Sequence, residues 1–213
     1  MDHFTQLTGA IALTMGVAWA SGINLYAAIL VLGILGVTNN IVLPEHLQVL
    51  MNPMVITAAG IMYLVEFCTD KIPGVDTGWD TIHTFIRIPA GALLAAGAVG
   101  DVTPAVAITA GILGGGLAAG THATKAGTRV LINASPEPFS NWLASLTEDA
   151  VVIGGLWTAL HYPLVFLGLL VLFILLMVWL LPKIWQGVKA LFAGIGRLFS
   201  GQSPGTKKRN HDG

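Results

Sequence analysis

"PLVFLGLLVLFILLMVWLL" (Pro163–Leu181) runs for nineteen residues without an ionisable side chain. At about 1.5 Å per residue a helix of that length crosses a hydrocarbon core of roughly 30 Å. The rest of the chain agrees with that reading. Of its 213 residues 54% are hydrophobic and 10% charged, and the mean hydropathy is +0.77. A water-facing surface needs more charge than this, so the composition excludes an ordinary soluble domain and predicts a membrane protein.

Working outward from Pro163, five more segments read as crossings: about Leu7–Gly36, Pro53–Thr69, Ile82–Gly100, Pro104–Gly120, and Asn141–Leu160. "SGIN" (Ser21–Asn24) interrupts the first. The fold class predicted is all-α, a polytopic helical membrane protein of about six transmembrane helices, with an interrupted first helix and room for re-entrant segments. The domain division predicted is one transmembrane domain over 1–182, an amphipathic interfacial helix over 183–199, and a disordered basic tail over 200–213. Six of the ten Lys and Arg residues lie at or beyond Lys183. The positive-inside rule then places both termini in the cytoplasm, with the protein multi-pass in the inner (plasma) membrane. The N-terminus lacks a basic n-region and a cleavage site, so the first apolar run reads as a retained span. Cys68 is the single cysteine, which rules out an intrachain disulfide.

Against this apolar background, "EFCTDKIPGVDTGWDTIHTFIR" (Glu66–Arg87) packs four carboxylates, a lysine, an arginine and a histidine into 22 residues. Pro73, Gly74 and Gly78 predict a turn or irregular excursion after Asp70, with Asp80 as the N-cap of a new helix. Asp80, His83 and Arg87 then share one helix face at i, i+3, i+7. Such a stripe cannot face lipid cheaply, because each charge at the bilayer centre costs about 2.5–3.5 kcal/mol. The expectation is a re-entrant or deeply docked segment forming the cytoplasmic wall of a polar site.

A second charged stretch follows the fourth span. His122, Lys125 and Arg129 repeat the same spacing; it reads as part of a cytoplasmic connection, Thr121–Pro138, and as a stripe suited to a carboxylate or phosphate. Glu148 and Asp149 stand inside the fifth span, where acids are functional candidates by default. The candidate solute- or ion-binding set is therefore Asn24, Glu66, Asp70, Asp76, Asp80, His83, Arg87, His122, Lys125, Arg129, Glu148 and Asp149. Arg87 is expected to anchor an anionic group or to pair with Glu148 or Asp149. The two stripes are expected to converge. No zinc pattern, nucleophile elbow or phosphate loop occurs, so no metal, cofactor or catalytic residue is assigned. Gly and Ala runs such as "AGILGGGLAAG" (Ala110–Gly120) suit close helix packing.

These motifs, "SGINLY", "EFCTDKIPGVDTGWDTIHTFIR" with "AGALLA", "THATKAGTR" and "SPEPFSN" followed by "ED", resemble the bacterial membrane proteins grouped as domain of unknown function 4126. They span roughly Gly9 to Gly155. The resemblance implies an integral membrane protein and supplies no substrate.

Three functions compete at this level. The first is a transporter or channel-like protein for a small polar or anionic solute, proton-coupled through its acids, with the lipid bilayer as surroundings. The second is an assembly protein whose charges bind a partner. The third is an enzyme acting on a lipid headgroup phosphate, with His83 and His122 as acid–base groups, and it is the least favoured. Nothing points to nucleic acid, and a homo-oligomer is compatible with the small-residue faces.

Overall fold

In the computed structural model the chain is described over residues 3–134 and 138–199. Six α-helices and one 3₁₀ helix account for nearly all of it: α1 His3–Val37, the 3₁₀ helix Glu45–Met51, α2 Pro53–Thr69, α3 Val75–Ala98, α4 Pro104–Asn133, α5 Pro138–His161 and α6 Pro163–Phe199. No strand occurs among the described residues. α1, α4, α5 and α6 are each long and apolar enough to cross a membrane. The 3₁₀ helix and α2 meet at 67° and together supply a fifth, as one broken span or a re-entrant loop. The sixth expected crossing, α3, is 24 residues long but is not among them, because its charged stripe lowers its hydropathy.

α1 is the central post. Ala12, Val17, Ala18, Ala20, Ala28 and Leu32 are almost wholly buried along it, and it touches every other helix. Its apolarity on all sides follows from that position. α3 and α4 form the broadest helix pair. The outer faces of α3 to α6 are apolar and exposed, as at Ile82, Phe85, Leu93, Ile112, Leu143 and Leu172. Lipid replaces water there, so exposed leucines carry no penalty.

Several expectations change. The break in α1 is real and falls on Asn24, whose backbone leaves the helical region (φ −145°, ψ 96°). The charged stretch is deeply docked, with Glu66, Asp70, Asp76, Asp80 and Arg87 all buried, but it is mostly helical and not an irregular excursion. After a short turn over residues 70–74 it enters α3 at Val75 and runs on through Pro89 without a break. Asp80 is consequently not the N-cap. Gly74 takes that position with φ of +85°, a conformation that costs glycine nothing. The first-turn acid is Asp76, whose carboxylate accepts from the Gly74 and Thr77 amides. The second charged stretch is no connection either, because α4 continues helical through His122, Lys125 and Arg129 to Asn133. At the C-terminal end, 183–199 extends α6 as one helix across Pro182 instead of starting a separate one. The tail 200–213 lies outside the described residues.

Candidate functional site

Each charged side chain reaches the middle of the bundle because of where its helix starts. Arg87 lies twelve residues into α3, about 18 Å along the axis at 1.5 Å per residue. His122 lies eleven residues before the end of α4, and Asp149 eleven residues into α5, about 17 Å in both cases. All three positions lie well inside their helices, several turns from the nearer end. Glu66 and Asp70 arrive from the opposite direction, on the last turn and C-cap of α2.

The two stripes meet here. Arg87 is fully buried and forks: Nη2 donates to Glu66 Oε1 at 2.5 Å and Nη1 to Asp80 Oδ1 at 3.0 Å. Lys125 Nζ donates to Asp70 Oδ2 at 3.0 Å and Glu66 Oε1 at 3.2 Å, and lies 3.4 Å from Glu148 Oε2. Arg129 holds Glu148 through Nη2–Oε2 at 2.7 Å and Nε–Oε1 at 3.3 Å. It also donates through Nη1 to the carbonyls of Asp70 (2.9 Å) and Asn141 (3.2 Å). Among the described residues, four carboxylates thus share three cations in one connected network. Charges this deep are tolerable only in such pairing.

Arg87 departs from expectation in its partners. It meets Glu66 and Asp80, neither Glu148 nor Asp149. Asp80 lies two turns earlier on its own stripe, α2 delivers Glu66 to the other arm of the fork, and Arg129 has already engaged Glu148. Both of its terminal nitrogens are occupied by carboxylates, so no free fork remains for an anionic group.

His122 sits inside this network. Arg87 Nη1 donates to its Nδ1 at 3.2 Å. A guanidinium only donates, so Nδ1 is the acceptor and the proton resides on Nε2. That nitrogen faces the Asp80 carbonyl at 3.1 Å and Thr84 Oγ1 at 2.8 Å. The imidazole is thereby held as the neutral Nε2–H tautomer, between a cation and a backbone carbonyl.

The α1 break supplies the remaining wall. Asn24 Oδ1 accepts from the Ala27 amide at 2.9 Å, capping the second half of α1 as an N-cap residue does. Its Nδ2 donates to Asp149 Oδ1 at 3.0 Å. The same break turns the Ile23 carbonyl toward Lys125 Nζ, at 3.1 Å. Neighbouring Glu148 and Asp149 therefore diverge by one helical step, one toward the cations and one toward Asn24. Asp149 makes no ion pair among the described residues, and its Oδ2 is buried with no direct hydrogen-bond partner among them. Glu66 Oε2, Asp70 Oδ1 and Asp80 Oδ2 are in the same condition.

Two candidates stand apart. His83 Nδ1 donates to the Trp79 carbonyl (2.9 Å), its Nε2 meets Tyr26 Oη (3.0 Å), and its ring stacks on Trp79. Asp76 binds Asn133 Nδ2 at 2.7 Å, and Asn133 Oδ1 accepts from Asn141, tying the α3 start to α4 and α5. Sequence reasoning missed Tyr26, Asn133, Asn141 and the Ile23 carbonyl. A helix-breaking "SGIN" and two amides flanking "SPEPFS" were the available signals. Lys71, in the turn, donates to the Phe67 carbonyl at 2.8 Å and to Ser145 at 3.3 Å. Burial lowers its pKa, with the Asp149 and Asp70 carboxylates opposing that shift.

No group of three or more His, Cys, Asp or Glu is placed to hold a metal among the described residues. The family model described as "Domain of unknown function (DUF4126)" matches residues 11–183, and the chain belongs to that family. No curated protein matches the chain. No solved structure matches it either.

Proposed function

From membership of a family that brings no activity with it, we propose a transporter-class membrane protein that couples solute movement to proton exchange at the buried network. One observation carries the reading: at the break in α1, five buried or largely buried carboxylates (Glu66, Asp70, Asp80, Glu148, Asp149) stand among four cations (Arg87, Lys125, Arg129 and, near Asp70 and Asp149, Lys71). Equal numbers would make a static lock between helices. A surplus of acids at this depth calls for protons or a counter-cation, because an uncompensated buried carboxylate is far too costly. Asp149 is the proton carrier in this reading, since it makes no ion pair among the described residues and is bounded by the Asn24 amide and the Tyr63 hydroxyl. A helix broken at mid-depth beside ionisable groups is also the arrangement that secondary transporters use.

The anionic solute expected from the sequence is not favoured, because Arg87, Lys125 and Arg129 already hold carboxylates. Protons and small cations suit an acid-rich site. Infrared difference spectra between acidic and alkaline buffer test the proton carrier directly: a protonated-carboxyl band is expected in the wild type and lost in Asp149→Asn. Liposomes containing the purified protein and a luminal pH dye test the coupling. External potassium or sodium chloride should shift the luminal pH, and phosphate on a non-permeant cation should not. An infrared band unchanged in Asp149→Asn, or solute flux indifferent to the pH gradient, counts against the reading.

A further inference from the structure

We propose that Lys71 is the movable counter-charge of Asp149: its ammonium rests on Ser145 while Asp149 holds a proton, and moves one helical turn along α5 to pair with the carboxylate when that proton leaves. This rests on the reading of Asp149 as the proton carrier and names the residue that answers its charge. Two buried opposite charges left apart carry the inference. Lys71 is 9% exposed and Asp149 8%, yet neither makes an ion pair among the described residues. The ammonium donates only to neutral groups among them, the Phe67 carbonyl at 2.8 Å and Ser145 Oγ at 3.3 Å, and lies over the Phe67 ring. A buried cation and a buried anion held apart at short range are costly, because each forgoes the compensation the other offers. With Asp149 protonated, only the cation remains and that cost is avoided.

The geometry permits the move. Ser145 and Asp149 stand one turn apart on α5, on one face and separated by about 6 Å along the axis. Lys71 lies in the turn between α2 and α3, and its flexible four-carbon stem carries the head group over such a distance. The groups that face Lys71 leave it one acid to answer. Asp149 approaches from α5, Asp70 from the same turn, Cys68 from the end of α2 and Arg129 from α4. Asp70 already holds Lys125 and Arg129. Around Asp149 stand Asn24 of α1, Tyr63 and Glu66 of α2 and Lys125 of α4. Of these Lys125 is the one cation, and it is engaged by Glu66 and Asp70. Asp149 Oδ2 has no direct hydrogen-bond partner among the described residues, which leaves an acceptor atom for the incoming ammonium.

The step balances in atoms and charge. The Asp149 O–H bond breaks, its electron pair stays on the carboxylate, and the proton passes to water at the end of the bundle where the α2–α3 turn lies. Lys71 remains an ammonium throughout, so it moves and does not titrate. Two hydrogen bonds to neutral oxygens are exchanged for a charge-assisted one to a carboxylate, the stronger kind. The negative charge created on Asp149 meets a positive charge already inside the protein, so proton loss leaves no uncompensated carboxylate. The pair stabilises the deprotonated form, and its presence therefore lets Asp149 release its proton at a lower pH than it would alone.

The experiment is an infrared pH titration of the purified full-length protein in lipid, following the protonated-carboxyl band that is lost in Asp149→Asn. Lys71→Met should raise the pH at which half the band disappears by about 1–3 units, the usual effect of losing an opposite charge within about 4–6 Å. Lys71→Arg keeps the charge and should stay near the wild type. Ser145→Ala removes the resting partner, favours the pair and should move the midpoint the other way, to lower pH. A midpoint unmoved in Lys71→Met or in Ser145→Ala overturns the proposal, and Ser145→Ala decides alone if Lys71→Met does not fold. A titrating Asp149 band with an unmoved midpoint removes the Lys71 pair and leaves the proton carrier standing. No such band in the wild type removes both. The shifts as expected, together with solute flux indifferent to the pH gradient, keep the pair and remove the transport reading.

Discussion

Arg87 shows how a single side chain sets the logic of this interior. It joins two carboxylates that arrive on different helices, and it fixes the His122 tautomer from the other side. Arg87→Ala strands Glu66 and Asp80 as unpaired charges. The expected loss is about 3–5 kcal/mol, the usual consequence of removing one partner from a buried pair. Arg87→Lys retains the charge but reaches only part of the fork, for a loss of about 1.5–3 kcal/mol, the range of a hydrogen bond to a charged group. Unfolding in detergent measures both, and an Arg87→Ala protein as stable as wild type would show that the network carries no structural weight. The i, i+3, i+7 spacing of both stripes is enough to place them face to face, because helix geometry converts spacing into direction. The pairing of particular acids with particular cations is not legible, since it depends on how far each helix is rotated and how deep it sits. The Ile23 carbonyl is a backbone atom exposed by a break one residue further on, so the helix-breaking "SGIN" is its one trace in the sequence.

At the scale of the element, the break in α1 is held by two neighbours with different tasks. Asn24 caps the second half-helix and binds Asp149. Asn24→Ala should cost about 0.5–2 kcal/mol for the lost cap, and should also shift the infrared signature of the Asp149 carboxyl. Gly22 lets α1 lie directly on α4: a Cβ there would meet the Ala118 carbonyl oxygen at 2.5 Å and Thr121 Cβ at 2.8 Å. Gly22→Ala should therefore push the break away from Lys125, at a cost of about 1–3 kcal/mol typical of overpacking. Cross-linking between cysteines placed on α1 and α4 would report the separation, and an unchanged cross-linking yield would refute it. "SGIN" announces the interruption by composition. The starting point of α3 is less legible: Pro73, Gly74 and Gly78 all signal a turn, and only the positive φ of Gly74 together with the Asp76 carboxylate decides that the helix begins before Gly78.

For the whole molecule, the lipid-facing exterior and the charged interior make an inside-out distribution of polarity. The exterior was legible from hydropathy alone. The crossing number was less so, because α3 hides its charges from lipid while a window average counts them. The basic C-terminal end and the alternation of helices predict both termini on the cytoplasmic side. Reporter fusions after Gln202 and near Gln48 should read cytoplasmic and periplasmic respectively. A periplasmic signal at Gln202 would invert the arrangement and move Glu148 to the opposite side of the bilayer.

The ion network also constrains how the chain enters the membrane during synthesis. α3 alone presents Asp80 and Arg87 to the translocon, and α4 alone presents Lys125 and Arg129, at about 2.5–3.5 kcal/mol for each charge near a helix centre. Those costs are relieved only when α2, α3 and α4 stand together, with Glu66 and Asp70 in reach of Lys125. The three helices should leave the translocon as a group, and nascent chains halted between α3 and α4 should remain extractable from the membrane by alkali. Lengthening the stalled chain past Arg129 should make it resistant.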